Sequence, residues 1–434
     1  MTGSLPTALR VYRLFSAATT PFVPLFLARR LKRGKEHRLR FNERRGESTM
    51  ARPPGPLVWL HGASVGELMS VLPLIEKIAA REINVLVTSG TVTSGGIAEQ
   101  RLPREVIHQF VPIDVPRYVR RFLNHWQPDL ALFVESDLWP NILVETSARG
   151  VPMVLINGRL SEASYRRWSH LPDSIVNLLR RFDLCLARTQ GDAERLGRLG
   201  APRLVTTGNL KLDVPAPPAD AAKLRALRDA INERPLVAAA STHAGEEELM
   251  IEAHRRLRAN FPRLLTVIAP RHPERGPGIA DLAANAGLKA ALRSRGELPN
   301  VKTDIYVADT VGELGLLYRV APVVFMGGSL VRHGGQNPIE AAKLGAAILH
   351  GPHVWNFAEI YAALDEAHGA EPVGDENRLT AALAAMLGQP AVRERVAGSA
   401  KATVDALGGA LERTLQSLDP YLMQLQLRQR SRHA

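Results

Sequence analysis

Two series of continuous apolar runs, each alternating with helical stretches, constrain the fold of this chain more than any other feature. The first series begins at Leu57 and reads LVWL, NVLVTS, DLALFVES, VPMVLING and DLCLAR; the second reads PLVAAAS, LLTVIAP, VVFMGGS and AAILHG. Strands of a parallel sheet are covered on both faces by helices, so they are apolar throughout rather than at alternate positions. The pattern therefore predicts an α/β fold with two doubly wound, Rossmann-like domains.

A proline-containing stretch, DVPAPPAD at 213–220, separates the two series and is typical of a linker. The expected organisation is an apolar and basic segment over 1–50, a first domain over 51–212, the linker over 213–220, a second domain over 221–408, and a C-terminal helix and tail over 409–434. We expect this last helix, near 420–430, to fold back on the first domain. Doubly wound sheets bind ligands beyond the carboxyl ends of their strands, so the active site is expected there, in the cleft between the domains.

The first segment couples an apolar run to a basic one. Leu14 to Ala28 carries no charged residue, contains Pro21 and Pro24, and is short for a membrane span. It is followed by the cationic residues Arg29, Arg30, Lys32, Arg33, Lys35, Arg38, Arg40, Arg44 and Arg45. A secretory signal would place its charge before the apolar run. The pattern favours a segment lying on an anionic membrane; the alternative is an amphipathic helix packed on the protein beside a solvated charge run.

The net charge limits the class of partner. The chain has 434 residues, a formal net charge of +12 and a pI near 10.2, which together indicate an anionic membrane, an anionic substrate or nucleic acid. The sequence has no basic patch interleaved with aromatic residues, so no nucleic-acid partner is expected. The single cysteine, Cys185, excludes a disulfide framework and a cysteine zinc cluster and is typical of a reducing compartment.

The stretch 325–357 combines an apolar strand, two glycine breaks and a helix start. Glycine pairs stand at 327–328 and 334–335, and NPIE at 337–340 supplies an N-cap residue, a proline suited to the first helical position and a first-turn carboxylate. Free N–H groups at such a helix start bind phosphate, and Glu340 is placed to accept hydrogen bonds from ribose hydroxyls. The stretch therefore predicts a nucleotide cradle; the alternative is an ordinary strand-loop-helix connection.

The first strand of the first domain ends in GASVG at 62–66, which satisfies the G-x-S-x-G pattern of a hydrolase nucleophile elbow. An elbow serine needs earlier strands that help to form its oxyanion hole, yet only the basic segment precedes this strand. The alternative is that Glu67, at the same strand end, is a general base for a hydroxyl nucleophile. Glu67 is equally compatible with a first-turn glutamate that complements the helix dipole.

Polar side chains also follow several other strands. They are Glu135, Asp137, Asn157, Arg159, Ser161 and Lys211 in the first domain, and Ser241, Thr242, His243, Arg271, His272 and Asp309, the last as a helix cap, in the second. Each alone fits a solvated loop or a cap, but their shared position at strand ends favours a common site. Lys211 and Arg271 are the cations we expect near an anionic donor.

Seven motifs stand in one order along the chain: GASVGE, LWPN, STHAGEE, PRHPER, GGSLV, GGQNPIEAA and GPHVWNF. In this the chain resembles the Kdo (3-deoxy-D-manno-octulosonic acid) transferases of lipid A biosynthesis, from about Val11 to about Leu422. The resemblance implies a GT-B type glycosyltransferase with an acceptor-binding N-terminal domain and a C-terminal domain that binds the donor CMP-Kdo. It also implies a lipid A precursor (lipid IVA) as acceptor, no metal or other cofactor, and attachment to anionic lipids at the cytoplasmic face of the inner membrane.

The resemblance implies roles for individual residues. Glu67 matches the general base of the family, and Glu135 and Lys211 match residues that stabilise the transition state. The CMP-Kdo contacts fall on Pro270, Arg271, Val311, Gly312, Glu313, Asn337, Pro338, Ile339 and Glu340. The family usually has His where this chain has Gln336, and Glu where it has Asp137, so the roles of these two residues stay open.

The implied mechanism is inverting transfer. Glu67 takes the proton from an acceptor hydroxyl, whose oxygen attacks the anomeric carbon of Kdo. CMP then leaves while Lys211, Arg271 and the helix start at Pro338 stabilise its phosphate. Two rival functions stay open from sequence: a serine esterase acting through Ser64, and a noncatalytic nucleotide-binding membrane protein.

Overall fold

The computed structural model describes residues 4–433 and consists of two compact units. The first unit comprises the described residues up to Val214 together with those from Gly408 onward, and the second comprises Pro215–Leu407. The chain passes from one unit to the other inside the proline-containing stretch 213–220. Residues 1–3 and 434, at the ends of the expected first and last segments, lie outside the described residues.

A parallel sheet of seven strands forms the centre of the first unit. Its strands are β1 (Leu57–His61), β2 (Asn84–Ser89), β3 (Ile107–Phe110), β4 (Leu130–Val134), β5 (Met153–Gly158), β6 (Leu184–Ala187) and β7 (Leu204–Thr206). They pair in the order β3-β2-β1-β4-β5-β6-β7. The order reverses between β1 and β4, so the carboxyl ends of these two strands flank the topological switch point, where doubly wound sheets bind ligands.

Helices cover both faces of this sheet. They are α1 (Thr7–Ala18), α2 (Val23–Lys32), α3 (Val65–Ala79), α4 (Val92–Arg101), α5 (Pro116–Trp126), α6 (Pro140–Ser147), α7 (Glu162–Ser169), α8 (Pro172–Leu179) and α9 (Gln190–Arg198), with 3-10 turns at Thr20–Phe22, Phe41–Arg45 and Leu210–Leu212. Two apolar core clusters, one on each face, bury β1, β4 and β5 completely. This two-sided burial is the reason why those strands are apolar at every position.

A second parallel sheet of seven strands forms the centre of the second unit. Its strands are β8 (Leu236–Thr242), β9 (Leu265–Pro270), β10 (Ala290–Leu292), β11 (Ile305–Val307), β12 (Val323–Met326), β13 (Ala347–His350) and β14 (Ala370–Pro372), paired in the order β10-β11-β9-β8-β12-β13-β14. The switch point lies between β8 and β12. The predicted fold class, two doubly wound parallel sheets, is confirmed.

The helices of the second unit are α10 (Ala221–Ile231), α11 (Glu246–Leu257), α12 (Gly276–Asn285), α13 (Leu314–Val320), α14 (Ile339–Lys343), α15 (Ala358–Glu366), α16 (Glu376–Gly388) and α17 (Pro390–Ala406), with 3-10 turns at Pro273–Arg275 and Arg293–Arg295. The last helix of the chain, α18 (Ala410–His433), belongs to the first unit and is longer than the predicted 420–430. Leu418 and Leu422 are fully buried in the core of that unit, and Asp213 accepts hydrogen bonds from Gly409 N–H (2.7 Å) and Leu411 N–H (2.5 Å) at the helix start.

The apolar N-terminal segment forms α1 and α2, joined by the 3-10 turn Thr20–Phe22. One side is attached to the unit: Tyr12 Oη donates to Asp114 Oδ2 (2.9 Å), Arg13 pairs with Glu145, and Leu27 is buried. The other side is open, because the side chains of Leu14, Phe15, Phe22, Leu25 and Phe26 are exposed. Within residues 4–433 no single helix is long and apolar enough to cross a membrane; Thr7–Ala18 and Thr20–Lys32, bent by 43°, pass that test only as a pair.

Candidate active site

Glu67 and Glu135 follow β1 and β4, the two strands that flank the switch point of the first sheet. Glu67 lies in the first turn of α3, and its carboxylate accepts hydrogen bonds from Ala63 N–H (2.7 Å) and Ser64 Oγ–H (2.8 Å). The Ser64 hydroxyl in turn accepts from Glu67 N–H (3.3 Å) as the N-cap of α3. These hydrogen bonds hold the Glu67 carboxylate at the strand end.

Ser64 does not have the surroundings of a nucleophile. Its backbone is extended (φ −112°, ψ 164°) rather than strained, and its hydroxyl is occupied by the capping contacts with Glu67. The nearby His61 is fully buried, with Nδ1 lying 2.9 Å from Thr88 Oγ1. Nothing in this arrangement favours the esterase alternative.

The Lys211 ammonium is directed at Glu135. Its Nζ donates to Glu135 Oε1 at 2.8 Å. The turn that carries Lys211 is held by Asn157 Oδ1, which accepts from Leu210 N–H (3.0 Å). Glu135 and Asn157 both have positive φ, 60° and 51°, a conformation that costs a non-glycine residue about 1–2 kcal/mol. Such strain concentrates at functional sites, where the surrounding structure holds it in place.

Glu67, Glu135 and Asp137 form a group that we term the carboxylate cluster. Burial raises the pKa of Asp137 to about 7, with the charges of Glu67 and Glu135 as further causes. Burial also raises the pKa of Glu67, as does the charge of Glu135, whereas the hydrogen bond from Ser64 lowers it. A carboxyl group with a raised pKa is suited to general base catalysis near neutral pH.

Asp137 also faces a buried imidazole. Its Oδ2 lies 3.7 Å from His61 Nε2, and both atoms are buried without a hydrogen-bond partner among the described residues. The structure thus brings Glu67, Glu135, Asp137 and Lys211 together at one end of the first sheet, and the catalytic roles assigned to them stay predictions. In the described chain no group of three or more His, Cys, Asp or Glu residues is placed to hold a metal ion.

In the second unit a buried glutamate occupies the glycine loop that follows β12. Glu246 is fully buried, and its carboxylate accepts hydrogen bonds from the N–H groups of Gly328 (2.7 Å), Ser329 (3.0 Å), Leu330 (3.0 Å) and His243 (3.0 Å). The N–H groups of Gly328, Ser329 and Leu330 are therefore bound by a carboxylate of the protein, and the predicted phosphate site at the helix start of NPIE, which uses other N–H groups, stays a prediction. Glu246 is not among the site residues predicted from the sequence.

The helix predicted from NPIE starts one residue later than expected. Pro338 is the N-cap and Ile339 the first residue of α14, which is five residues long. Asn337 still acts as a cap, because its Oδ1 accepts from Ile339 N–H (3.1 Å). Glu340 is half-buried in the first turn, and burial raises its pKa. A carboxyl group in this position has the chemistry to bind ribose hydroxyls, which stays a prediction.

Arg271, His243 and Gln336 follow three adjacent strands, β9, β8 and β12, and so lie at one edge of the second sheet, beyond the carboxyl ends of these strands. Pro270 ends β9, and Arg271 follows it with an exposed side chain. The His243 ring stacks on His333 with centroids 4.1 Å apart, and its Nε2 lies 3.3 Å from Gln336 Nε2. Burial lowers the pKa of His243 to about 4, helped by the neighbouring imidazoles and arginines. The edge is therefore basic, with His243 held neutral.

The loop before α13, where nucleotide contacts are predicted, has an open backbone and a carboxylate that is already paired within the protein. Glu313 forms ion pairs with Arg293 and with Lys223 (2.8 Å), and the hydrogen bond from Arg293 is the largest cause that lowers its pKa to about 2. Val311 is 85% exposed and Gly312 has φ +82°. The Glu313 side chain thus fixes the loop, while the backbone at 311–312 is open.

Asp309 was predicted to be a helix cap, and this prediction is wrong. Its carboxylate accepts from Ser294 N–H (2.8 Å) and Ser294 Oγ–H (2.6 Å) and so holds the turn Arg293–Arg295, while Glu313 is the N-cap of α13. Two other polar residues at strand ends also have structural partners: Ser161 caps α7, and Thr242 Oγ1 donates to Glu247 Oε1 (3.0 Å).

Comparison with known proteins identifies the family of this chain. The family model described as "3-Deoxy-D-manno-octulosonic-acid transferase (kdotransferase)" matches residues 37–214. The 3-deoxy-D-manno-octulosonic acid transferase of Haemophilus influenzae is 34% identical over 409 residues, which cover 93% of this chain and 96% of that protein. The transferase of the same name from Bordetella pertussis is 35% identical over 424 residues, which cover 95% and 99%.

A solved glycosyltransferase structure from Rickettsia africae is 11% identical, covers 86% of this chain and 99% of that one, and aligns with a TM-score of 0.58. At this identity it bears on the fold alone, which is of the GT-B type as predicted. Similarity to curated relatives over nearly the whole length shows that this chain belongs to the 3-deoxy-D-manno-octulosonic acid (Kdo) transferase family of glycosyltransferases.

Proposed function

We propose that this chain is an inverting glycosyltransferase that moves Kdo from CMP-Kdo to a lipid A precursor in lipopolysaccharide biosynthesis. Family membership supports the transferred sugar and the class of reaction. The single structural observation that carries the proposal is the Glu67 carboxylate, held at the end of β1 by Ala63 and Ser64, with a pKa raised by burial. A base of this kind activates a hydroxyl nucleophile.

We assign acceptor activation to the first unit. Glu67 takes the proton of an acceptor sugar hydroxyl while that oxygen forms a bond to the anomeric carbon of Kdo. The bond from this carbon to the CMP phosphate breaks, and the phosphate keeps the electron pair. Lys211, hydrogen-bonded to Glu135 at 2.8 Å, supplies positive charge that offsets the charge developing on the leaving group.

We assign nucleotide binding to the second unit. Glu340 accepts hydrogen bonds from the ribose, the open backbone at 311–312 contacts the base, and Arg271 pairs with the phosphate. Glu246 does not touch the nucleotide in this proposal but keeps the glycine loop in one conformation, since its carboxylate is bound to Gly328, Ser329 and Leu330. Binding of a nucleotide-activated sugar is common to this family.

We further propose that α1 and α2 attach the enzyme to the cytoplasmic face of the inner membrane. The side chains of Leu14, Phe15, Phe22 and Leu25 are 68–72% exposed, so most of the surface of these four large apolar groups is left uncovered by the described residues. Arg29, Arg30 and Lys32 lie in the last turn of α2, where they suit anionic headgroups. The attachment also delivers the enzyme to a lipid acceptor.

The test is a transfer assay with purified enzyme, CMP-Kdo and a tetraacylated lipid A precursor, with the product analysed by mass spectrometry and NMR. We expect a product heavier by Kdo, with an anomeric configuration opposite to that of CMP-Kdo. Retention of configuration would refute the single-displacement mechanism. Release of acyl chains that is abolished in Ser64→Ala, without transfer, would instead establish the esterase.

A further inference from the structure

A cavity of about 950 Å³ opens in the first unit between the start of α1 and helix α8. It is not lined by any residue of the carboxylate cluster. Three arginines, Arg10, Arg180 and Arg181, line it, and among its described lining residues Asp173 is the one carboxylate. The cavity is therefore positively charged.

These arginines have little to bind within the protein. The side chains of Arg10 and Arg180 are exposed, and their guanidinium groups form no hydrogen bond or ion pair with the described side chains or backbone of this chain. Arg181 donates to Asn177 Oδ1 (2.8 Å), but its Nε is buried and has no partner in the same part of the chain. A buried donor without an acceptor is unfavourable, and an anion in the cavity would satisfy the Arg181 Nε–H while the exposed Arg10 and Arg180 add positive charge at its opening.

A fourth arginine adds to the positive potential. Arg13 pairs through one nitrogen with Glu145, while its Nη1 is buried without a partner among the described residues. Burial, and then the charge of Arg13, lower the pKa of Arg181, which is the direction expected when two guanidinium groups repel each other. An anion bound beside them would relieve this repulsion.

The walls and rim of the cavity are partly apolar. Leu5 and Val176 form part of its lining, and Leu171, which also lines it, is 49% exposed. Leu14 lies one helical turn from Arg10 on the same face of α1 and is 72% exposed. A charged pocket that continues into an exposed apolar surface matches a molecule with a phosphate at one end and acyl chains at the other.

We propose that this cavity binds the phosphate headgroup of an anionic membrane phospholipid, whose acyl chains lie towards the exposed face of α1. The inference rests on the proposed membrane attachment and adds a specific lipid site to it. Arg10, Arg180 and Arg181 bind the phosphate through charge-assisted hydrogen bonds. Free phosphate would use the arginines but leave the apolar rim exposed, which is why we commit to the lipid.

The test compares Arg10→Ala/Arg180→Ala with the control Arg104→Ala/Arg198→Ala, which removes the same charge from exposed positions outside the cavity. Binding of the full-length proteins to phosphatidylcholine vesicles with and without phosphatidylglycerol is measured. We expect the cavity variant to bind phosphatidylglycerol vesicles about tenfold more weakly or worse, and the control to lose at most about threefold. A photoreactive phosphatidylglycerol should label residues of the wild type within 5–10 or 171–181.

Equal losses of vesicle binding in the two variants would show that binding depends only on non-specific surface charge, and this result would overturn the site. Labelling outside 5–10 and 171–181 would overturn it as well. Competition by inorganic phosphate as effective as that by the lipid headgroup would overturn the lipid assignment. The same proteins are assayed for Kdo transfer to a detergent-dispersed acceptor, where we expect wild-type kcat and KM for the cavity variant. A raised KM of the cavity variant would indicate that the cavity binds the acceptor, and this result would overturn the proposal. If the wild type transferred no Kdo, the proposed function would be refuted, but the result on vesicle binding would still hold.

Discussion

At the residue scale, the protonation of Glu67 depends on its neighbours. Its carboxyl group is buried and shares the carboxylate cluster with Glu135, and both effects raise its pKa above that of an ordinary glutamate. A general base must be unprotonated, so transfer is lost as the pH falls through this raised pKa. The acid limb of the pH profile therefore measures the pKa that Glu67 has within the carboxylate cluster.

We predict that Glu135→Gln moves the acid limb of kcat/KM to lower pH. The substitution removes a negative charge beside Glu67, which makes protonation of Glu67 less favourable and lowers its pKa. The measurement is the pH dependence of the residual activity, with Glu105→Gln, an exposed glutamate, as the control that keeps the wild-type profile. An acid limb that stays in place or moves to higher pH would contradict the coupling.

Some of these residues could be predicted from the sequence, and others could not, for physical reasons. Glu67 and Glu135 were predictable because each lies just beyond the end of a continuous apolar strand. Glu246 was not, because it begins a run of three glutamates that is typical of a first helical turn, and only the fold places its carboxylate against the loop after β12. The positive φ of Glu135 likewise has no sequence signal, since glutamate seldom adopts it.

At the scale of elements, the glycine loop after β12 depends on one buried carboxylate. We predict that Glu246→Gln lowers the free energy of unfolding by about 2–4 kcal/mol, because an amide cannot accept all the N–H groups that the carboxylate binds. CMP affinity should fall with it. Denaturant unfolding and CMP titration measure the two effects. Glu248→Gln, an exposed glutamate of the same helix, should change stability by less than about 0.5 kcal/mol, and an equal effect of both would contradict the assigned role.

Helices α1 and α2 have one side packed on the protein and one side exposed. A substitution by serine should therefore affect membrane binding on the exposed side and stability on the packed side. Phe15 is 68% exposed, so Phe15→Ser should leave thermal stability unchanged and weaken binding to anionic vesicles by about tenfold. Leu27 is fully buried, so Leu27→Ser should lower the melting temperature. If Phe15→Ser destabilised the protein without affecting vesicle binding, the open side would have a partner other than the membrane.

The strands that sequence analysis missed share a physical cause. The central strands were predicted because burial on both faces makes them apolar throughout. The missed strands β3, β7, β10, β11 and β14 are short and lie at or next to a sheet edge. Two residues of β7 and two of β14 are exposed, so their sequences carry no continuous apolar signal.

The predicted start of α14 was wrong by one residue. Asn337 was predicted to be the N-cap because of its residue type, and its side chain does accept a hydrogen bond from Ile339 N–H, but Pro338 occupies the N-cap position.

At the scale of the whole molecule, the chain returns to its first unit through α18. Leu422 is fully buried in the core of that unit, whereas its neighbour Met423 is 57% exposed. We predict that Leu422→Ala destabilises the first unit by about 2–5 kcal/mol, while Met423→Ala has little effect. Hydrogen exchange resolves the two units, and CMP affinity should be unchanged in both variants because the residues proposed to bind the nucleotide belong to the second unit. Loss of protection confined to Pro215–Leu407 would contradict this division.

In the proposed Kdo transfer, Glu67 is the general base, and Ser64 is not a nucleophile. The most direct measurement is kcat for transfer from CMP-Kdo to the lipid A precursor by Glu67→Gln and Ser64→Ala, together with their CMP affinity. We predict that Glu67→Gln loses about 10²–10⁴-fold in kcat with CMP binding retained, while Ser64→Ala, which removes one hydrogen bond to Glu67, loses about tenfold at most. Wild-type turnover by Glu67→Gln, or complete loss in Ser64→Ala alone, would contradict the account.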